Sequence, residues 1–176
     1  MELFKNKNIK EYFIDITFQI IPKCYRPYKL MTIASLDPLN NHTILICYVL
    51  LVFTDSLSYK KIFAYLNENF CFDPLIIHTD YESSLALAIK TSNFFSNKVL
   101  HIQCLFHLIK AIRDKCKSLG LCNKKLSKEI YAVIKNIEII CIIQKDKVNE
   151  YQKFLIDNLN KNVKYTKLVT YLKNNV

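Results

Sequence analysis

The sequence predicts an α/β fold in which a mixed five-stranded sheet is followed by a helical segment. Two observations carry this prediction. Apolar runs of strand length alternate with stretches of helical periodicity, and the last third of the chain has helical periodicity alone. With 176 residues and 51% hydrophobic residues, the chain is long enough to bury the core of one domain. We therefore expect the order β-β-β-α-β-α-β and then helices.

Three strands are expected first, because three apolar runs are each bounded by residues that favour turns. They cover about residues 11–21, 28–36 and 43–53. Their short connections favour an antiparallel meander. A helix is expected next, over 55–69, with Asp55 or Ser56 as its N-cap.

The rest of the sheet is predicted from two shorter runs. Residues 74–79 are almost wholly apolar, which favours a central strand covered on both faces. A helix over 84–90 and a strand over 98–104 follow. Right-handed crossovers are expected to add parallel strands to the meander, and in a ribonuclease H-like arrangement the fourth strand lies beside the first and parallel to it. The remaining helices are expected at about 105–118, 124–143, 146–159 and 163–174.

The pattern divides the chain into three parts. Residues 1–10 form an N-terminal extension, residues 11–120 a ribonuclease H-like core, and residues 121–176 a helical segment. The break between the last two follows from Ser118 to Asn123, a stretch that holds the single Gly of the chain and favours a turn.

The chain is strongly basic, with 25 Lys and Arg against 15 Asp and Glu and a net charge of +10. Such a balance favours a polyanionic partner, nucleic acid first and an anionic membrane surface second. Seven Cys without a CxxC pair, and no signal peptide, favour a reducing intracellular location. The longest apolar run, 43–53, is too short to cross a bilayer, so no membrane segment is expected.

Two aspartates lie in apolar runs of strand character. Asp15 lies within Tyr12–Ile21, and Asp80 ends the run Pro74–Asp80. A carboxylate in such a run is costly to bury unless it is paired or binds a metal. If the first and fourth strands are neighbours, the two carboxylates can share Mg²⁺ or Mn²⁺. The alternatives are an acid on an edge strand for Asp15 and an N-cap for Asp80. Glu82 is expected to be a first-turn acid rather than a ligand.

Three motifs resemble the Mutator-like element (MULE) transposase domain. They are Asp15-Ile-Thr-Phe18 followed by Pro22-Lys23, Thr79-Asp-Tyr-Glu82 followed by Ala86, and Cys104-Leu-Phe-His107 followed by Lys110 and Arg113. Their order and separations fit this family over roughly residues 11–120. The resemblance implies a DDE-type transposase of ribonuclease H-like fold that cuts and joins transposon-end DNA. It also implies two metal ions, Mg²⁺ or Mn²⁺, with Asp15 bridging both and Asp80 holding one.

The chain departs from the family pattern at two places. Ile16 stands where the family usually has Gly. The family's third acid, a Glu that follows an Asn-Asn pair after a helical insertion, is expected beyond Val176. Glu138 and Glu150 fall in the insertion-like helices and are poor candidates for it. We therefore expect a truncated domain, incomplete or inactive in DNA transposition, that is nuclear if eukaryotic. The alternative is a non-catalytic DNA-binding or assembly module, and a homodimer is left open.

The third motif allows more than one role. Cys104 and His107 supply half of a tetrahedral zinc site, but Cys116 and Cys122 do not complete a zinc spacing, so zinc is not expected. The favoured interpretation is a buried Cys and a hydrogen-bonded His at a strand-to-helix junction. The family resemblance gives His107 some claim to contact DNA or a phosphate.

A basic helix is expected directly after this motif. Its cations form a solvated face by default, and in a protein that handles nucleic acid they would contact the backbone without reading sequence. They are Lys110, Arg113, Lys115 and Lys117.

Overall fold

The computed structural model of the chain describes residues 9–17, 23–25, 27–37, 40–93, 95, 98–121, 128–140 and 143–175. The chain divides into two compact units, Met1–Cys104 and Leu105–Val176. The first unit is an α/β unit with a mixed sheet, and the second is built from helices. The domain boundary near residue 120 stays a prediction.

The first unit contains five described strands: β1 (Glu11–Thr17), β2 (Lys29–Leu36), β3 (Thr43–Leu51), β4 (Ile76–Thr79) and β5 (Leu100–Gln103). They form one sheet in the order β3-β2-β1-β4-β5. β1 and β2 are antiparallel, as are β2 and β3, whereas β4 is parallel to both β1 and β5. The predicted mixed sheet, with its fourth strand parallel to the first, is confirmed.

Six α-helices lie in the described ranges: α1 (Ser56–Phe70), α2 (Ser83–Lys90), α3 (Leu105–Ser118), α4 (Lys128–Ile140), α5 (Val148–Asn160) and α6 (Thr166–Asn175). Each matches a predicted helix in position. The predicted parts 18–21, 124–127 and 141–142 lie outside the described residues. Asp55 is the N-cap of α1, as predicted, because its carboxylate accepts the Ser58 N–H at 2.9 Å.

The core of the first unit lies between one face of the sheet and helices α1 and α2. Alternation along β1 buries Tyr12, Ile14 and Ile16 on that face. Phe63 of α1 is fully buried there, with its ring centroid 6.0 Å from that of Phe72. Helices α1 and α2 therefore cover the face of the sheet on which the even-numbered residues of β1 lie.

The opposite face of the sheet is more open. Phe13 lies on it, stacked on His78 at 4.4 Å between ring centroids, and Glu11 Oε1 lies 2.6 Å from His78 Nε2. β4 lies between β1 and β5, so its predicted central position is confirmed. Helices α1 and α2 pack on the face that carries Ile77, whereas His78 on the other face is half-buried, so the coverage of that face is only partial. β3, at the edge of the sheet, exposes an apolar row on this open face: Leu45, Tyr48 and Leu50.

The second unit has its own apolar core, formed by the inner faces of α3 to α6. Its fully buried side chains include Ile112, Cys116, Ile130, Ile134, Ile137 and Leu168. None of the helices in the described ranges is both long and apolar enough to cross a membrane.

Candidate metal centre

Asp15 lies on a central strand, on the open face of the sheet. Its neighbour in the ladder is Thr32 of β2, and its other flank faces β4. The interpretation of Asp15 as an acid on an edge strand is therefore wrong. Its carboxylate is exposed, and Oδ2 accepts the Thr17 hydroxyl at 3.0 Å. An aspartate on a central strand with its carboxylate open to solvent is available to a ligand.

Asp80 directly follows β4, beside Asp15. The parallel ladder pairs Ile14 with Thr79, so the next position on each strand is an aspartate. Asp80 is half-buried, and its Oδ1 is enclosed without a hydrogen-bond partner among the described residues. The N-cap interpretation of Asp80 is wrong, because the N-cap position of α2 belongs to Glu82. A buried carboxylate oxygen without a partner is costly and therefore needs an explanation.

The electrostatics of Asp80 reflect this environment. Burial, followed by the negative charges of Glu82 and Asp15, raises the pKa of Asp80 from 3.8 to about 6. Asp15 therefore acts electrostatically on Asp80, as the ladder register suggests. A bound cation would remove the repulsion among these carboxylates.

Glu82 is held by a residue that the sequence did not indicate. The Tyr59 hydroxyl of α1 donates to Glu82 Oε2 at 2.7 Å, so this side chain does not cap α2 with a hydrogen bond. Burial raises the pKa of Glu82, while the Tyr59 hydrogen bond and the charge of Lys29 oppose that rise. Glu82 is thus an anchored second acid near Asp80 rather than a free first-turn acid.

Whether this site suits a metal ion depends on the donor atoms that these residues offer. The orphaned Oδ1 of Asp80 and the open carboxylate of Asp15 are hard oxygen donors of the kind that Mg²⁺ and Mn²⁺ prefer. Within the described ranges, no group of three or more His, Cys, Asp or Glu side chains is placed to hold one ion. The site therefore fits a divalent cation through two protein carboxylates, with other ligands needed to complete its coordination.

Cys104 and His107 belong to different compact units. Cys104 is half-buried, and its N–H donates to the Thr79 carbonyl at 2.8 Å, which extends the β4–β5 pairing by one residue. His107 lies in α3, and its Nδ1 is enclosed with no hydrogen-bond partner among the described side chains and backbone. The hydrogen-bonded histidine that we predicted is not found at this nitrogen. Cys122 lies outside the described residues.

The four predicted cations all lie on α3, but they do not share one face. Lys110, Arg113 and Lys117 recur every three or four residues and are exposed. Lys117 pairs with Asp114 at 3.2 Å. Lys115 is half-buried on another side, with its Nζ 5.5 Å from the centre of the Tyr171 ring. Three of the four are therefore placed to meet a partner together.

Comparison with known proteins does not assign the chain to a family. A scan of the sequence against models of known families matches none of them, and a search of curated proteins finds no significant match. The resemblance to Mutator-like transposases therefore rests on the three motifs, their order and their separations.

Proposed function

We propose that this chain carries a ribonuclease H-like domain of the Mutator-like transposase type, in which Asp15 and Asp80 bind Mg²⁺ or Mn²⁺ for DNA strand cleavage and transfer. One observation carries the proposal. Parallel pairing of β1 with β4 brings two aspartates, 65 positions apart in the sequence, to adjacent places at one end of the sheet.

The strand order and the motifs support the same proposal. The order β3-β2-β1-β4-β5, with an antiparallel meander followed by two parallel strands, is the order expected for the ribonuclease H-like sheet of this proposal. Asp15 lies in the Asp-Ile-Thr-Phe motif, and Asp80 lies in Thr-Asp-Tyr-Glu, so both catalytic positions implied by the family resemblance fall on the pair.

The residues of the site have distinct roles in this proposal. A bound divalent ion would activate a water or a 3′-hydroxyl and stabilise the leaving oxygen. Asp15, being exposed, offers its carboxylate from the side that DNA would approach. Asp80 offers an oxygen that has no hydrogen bond to give up. Tyr59 fixes Glu82, which adds negative potential without itself being free to move. Two carboxylates alone predict weak metal binding.

The proposal is tested by metal binding first and by chemistry second. Mn²⁺ binding is measured by water proton relaxation with the wild type, Asp15→Asn, Asp80→Asn and the control Glu68→Gln, an exposed carboxylate on α1. We expect each Asn variant to lose most of the Mn²⁺ binding and the control to retain it. Equal binding by all four proteins would refute the site.

Chemistry is then measured as Mn²⁺-dependent nicking of supercoiled plasmid. If the wild type and Glu68→Gln nick the plasmid, and neither Asp15→Asn nor Asp80→Asn does so, cleavage at this site is supported. Nicking that survives in both Asn variants would assign the activity to other residues.

A second function, a non-catalytic DNA-binding or assembly module, is favoured by the charge distribution. Residues 105–176 contain 15 of the 25 Lys and Arg but six of the 15 Asp and Glu, so they carry +9 of the net charge of +10. Such a concentration favours contact with nucleic acid. DNA binding with no metal-dependent nicking, unchanged in Asp15→Asn and Asp80→Asn, would favour this module over the enzyme.

A further inference from the structure

The outer face of α3 carries an aromatic ring and three cations in one stripe. Phe106, Lys110, Arg113 and Lys117 are separated by four, three and four residues, so they lie on one side of the helix. All four are exposed, and the Phe106 side chain is 68% exposed. The opposite side of α3 is buried in the core of the second unit through Ile109, Ile112 and Cys116.

Helix α4 carries a stripe of the same composition. Lys128, Tyr131 and Lys135 are separated by three and four residues and are exposed, with Tyr131 at 50%. Lys135 Nζ lies 5.7 Å from the centre of the Tyr131 ring. Ile134 and Ile137, on the other side of α4, are fully buried in the core that α3 shares.

Helices α3 and α4 pack against each other in the core of the second unit, and each stripe lies on the side of its helix that faces away from this core. In keeping with this packing, the positive charge of Arg113 opposes the rise in the pKa of Lys135 that its hydrogen bond to Glu138 causes. We call the two stripes together the α3–α4 surface. Two acids, Asp114 and Glu138, each pair with one of its five cations, and such exposed pairs are weak enough to exchange for a phosphate.

We propose that the α3–α4 surface binds single-stranded nucleic acid, with phosphates on its cations and unpaired bases stacked on Tyr131 and Phe106. Cations that follow the backbone, interleaved with exposed rings, are the recurring elements of sequence-tolerant single-strand binding. The proposal rests on the proposed function for nucleic acid as the partner. It deepens that function by adding that the nucleic acid is single-stranded. It does not involve the metal site.

The rings decide between single-stranded and duplex partners. Base pairs in a duplex already stack on one another and turn only their edges outward, so a duplex would contact the cations and gain little from Tyr131. A strand with splayed bases can use both kinds of group. The affinity for a single strand should therefore depend on its bases, whereas the affinity for a duplex should depend on its phosphates alone.

The test uses the full chain with a chelator present, so that its outcome does not depend on metal bound by Asp15 and Asp80. Fluorescence anisotropy is measured with labelled oligothymidylate of about 16 nucleotides, an abasic oligomer of equal length and a duplex of equal length. We expect Tyr131→Leu to weaken binding of oligothymidylate about five- to tenfold and to leave binding of the abasic oligomer unchanged. The matched control is Phe154→Leu on α5, an aromatic side chain that is 59% exposed outside the surface.

Charge is tested separately. The double variant Arg113→Gln/Lys135→Gln should weaken binding of all three ligands and reduce the slope of log affinity against log salt by about 1 to 2. The proposal is overturned if Tyr131→Leu binds oligothymidylate as the wild type does, or if bases add nothing over the abasic oligomer. Either result, together with Mn²⁺ binding that still requires Asp80, would reject the single-strand surface and leave the metal site standing.

Discussion

Replacing Asp80 by Asn is expected to make the folded chain relatively more stable at neutral pH, although it removes a proposed metal ligand. Asp80 Oδ1 is enclosed without a hydrogen bond, and the charges of Glu82 and Asp15 act on the same carboxyl. Burial and these charges raise its pKa from 3.8 to about 6. An amide of nearly the same shape carries no charge into this environment.

The sign and size of the effect follow from proton linkage. Because the folded pKa is higher, the native chain binds more protons than the unfolded chain between pH 3.8 and about 6. Stability is therefore lost as the pH rises through that window. The full shift corresponds to about 3 kcal/mol, which screening of a partly exposed carboxyl reduces to about 1–2 kcal/mol. Asp80→Asn does not titrate, so its stability relative to the wild type should rise by that amount.

The measurement is urea unfolding followed by far-ultraviolet circular dichroism at about pH 4 and about pH 7. Comparing the two pH values removes any packing difference between Asp and Asn, which is the same at both. The control Glu68→Gln, on the exposed side of α1, should show no such gain. Added Mn²⁺ should raise the stability of the wild type but not that of Asp80→Asn. A stability difference between wild type and Asp80→Asn that is equal at both pH values would refute the reasoning.

Two further substitutions test how the first unit is held together. Tyr59→Phe removes the hydroxyl that donates to Glu82 at 2.7 Å and should cost about 1–2 kcal/mol in urea unfolding, and an unchanged midpoint would show that this hydrogen bond adds nothing. Phe63→Ala empties a fully buried site against Phe72 and should cost about 3–5 kcal/mol, whereas Phe154→Ala, at an exposed site, should cost well under 1 kcal/mol; equal losses in the two would contradict the assigned core.

The strands and helices could be predicted because each has a local signal. Alternation around Asp15 separates Ile14 and Ile16 from it, and the same alternation is found in their burial. The placement of Asp80 beside Asp15 followed from the ribonuclease H-like arrangement that the order of elements suggested, and parallel pairing of β1 with β4 agrees with it. Periodicity located the strands, whereas the arrangement and the sequence motifs were needed to single out the two acids.

The surroundings of the acids could not be predicted, because they depend on contacts between distant segments. Tyr59 and Glu82 are 23 residues apart and meet only once α1 packs beside α2. The alternative role of Asp80 as N-cap of α2 rested on residue type alone, whereas α2 begins at Ser83 with Glu82 in the N-cap position and without a side-chain capping bond. Lys115 was grouped with its neighbours, although the helical repeat already places it on another side of α3, where its Nζ lies 5.5 Å from the centre of the Tyr171 ring.

The open face of β3 has a consequence for how the chain behaves in concentrated solution. Leu45, Tyr48 and Leu50 form an uncharged, apolar row on an edge strand, the kind of surface that pairs with a copy of itself. At low ionic strength the net charge of +10 keeps copies apart, but added salt screens that repulsion and leaves the apolar attraction intact. Colloidal stability should therefore fall as salt is added, the reverse of ordinary salting-in.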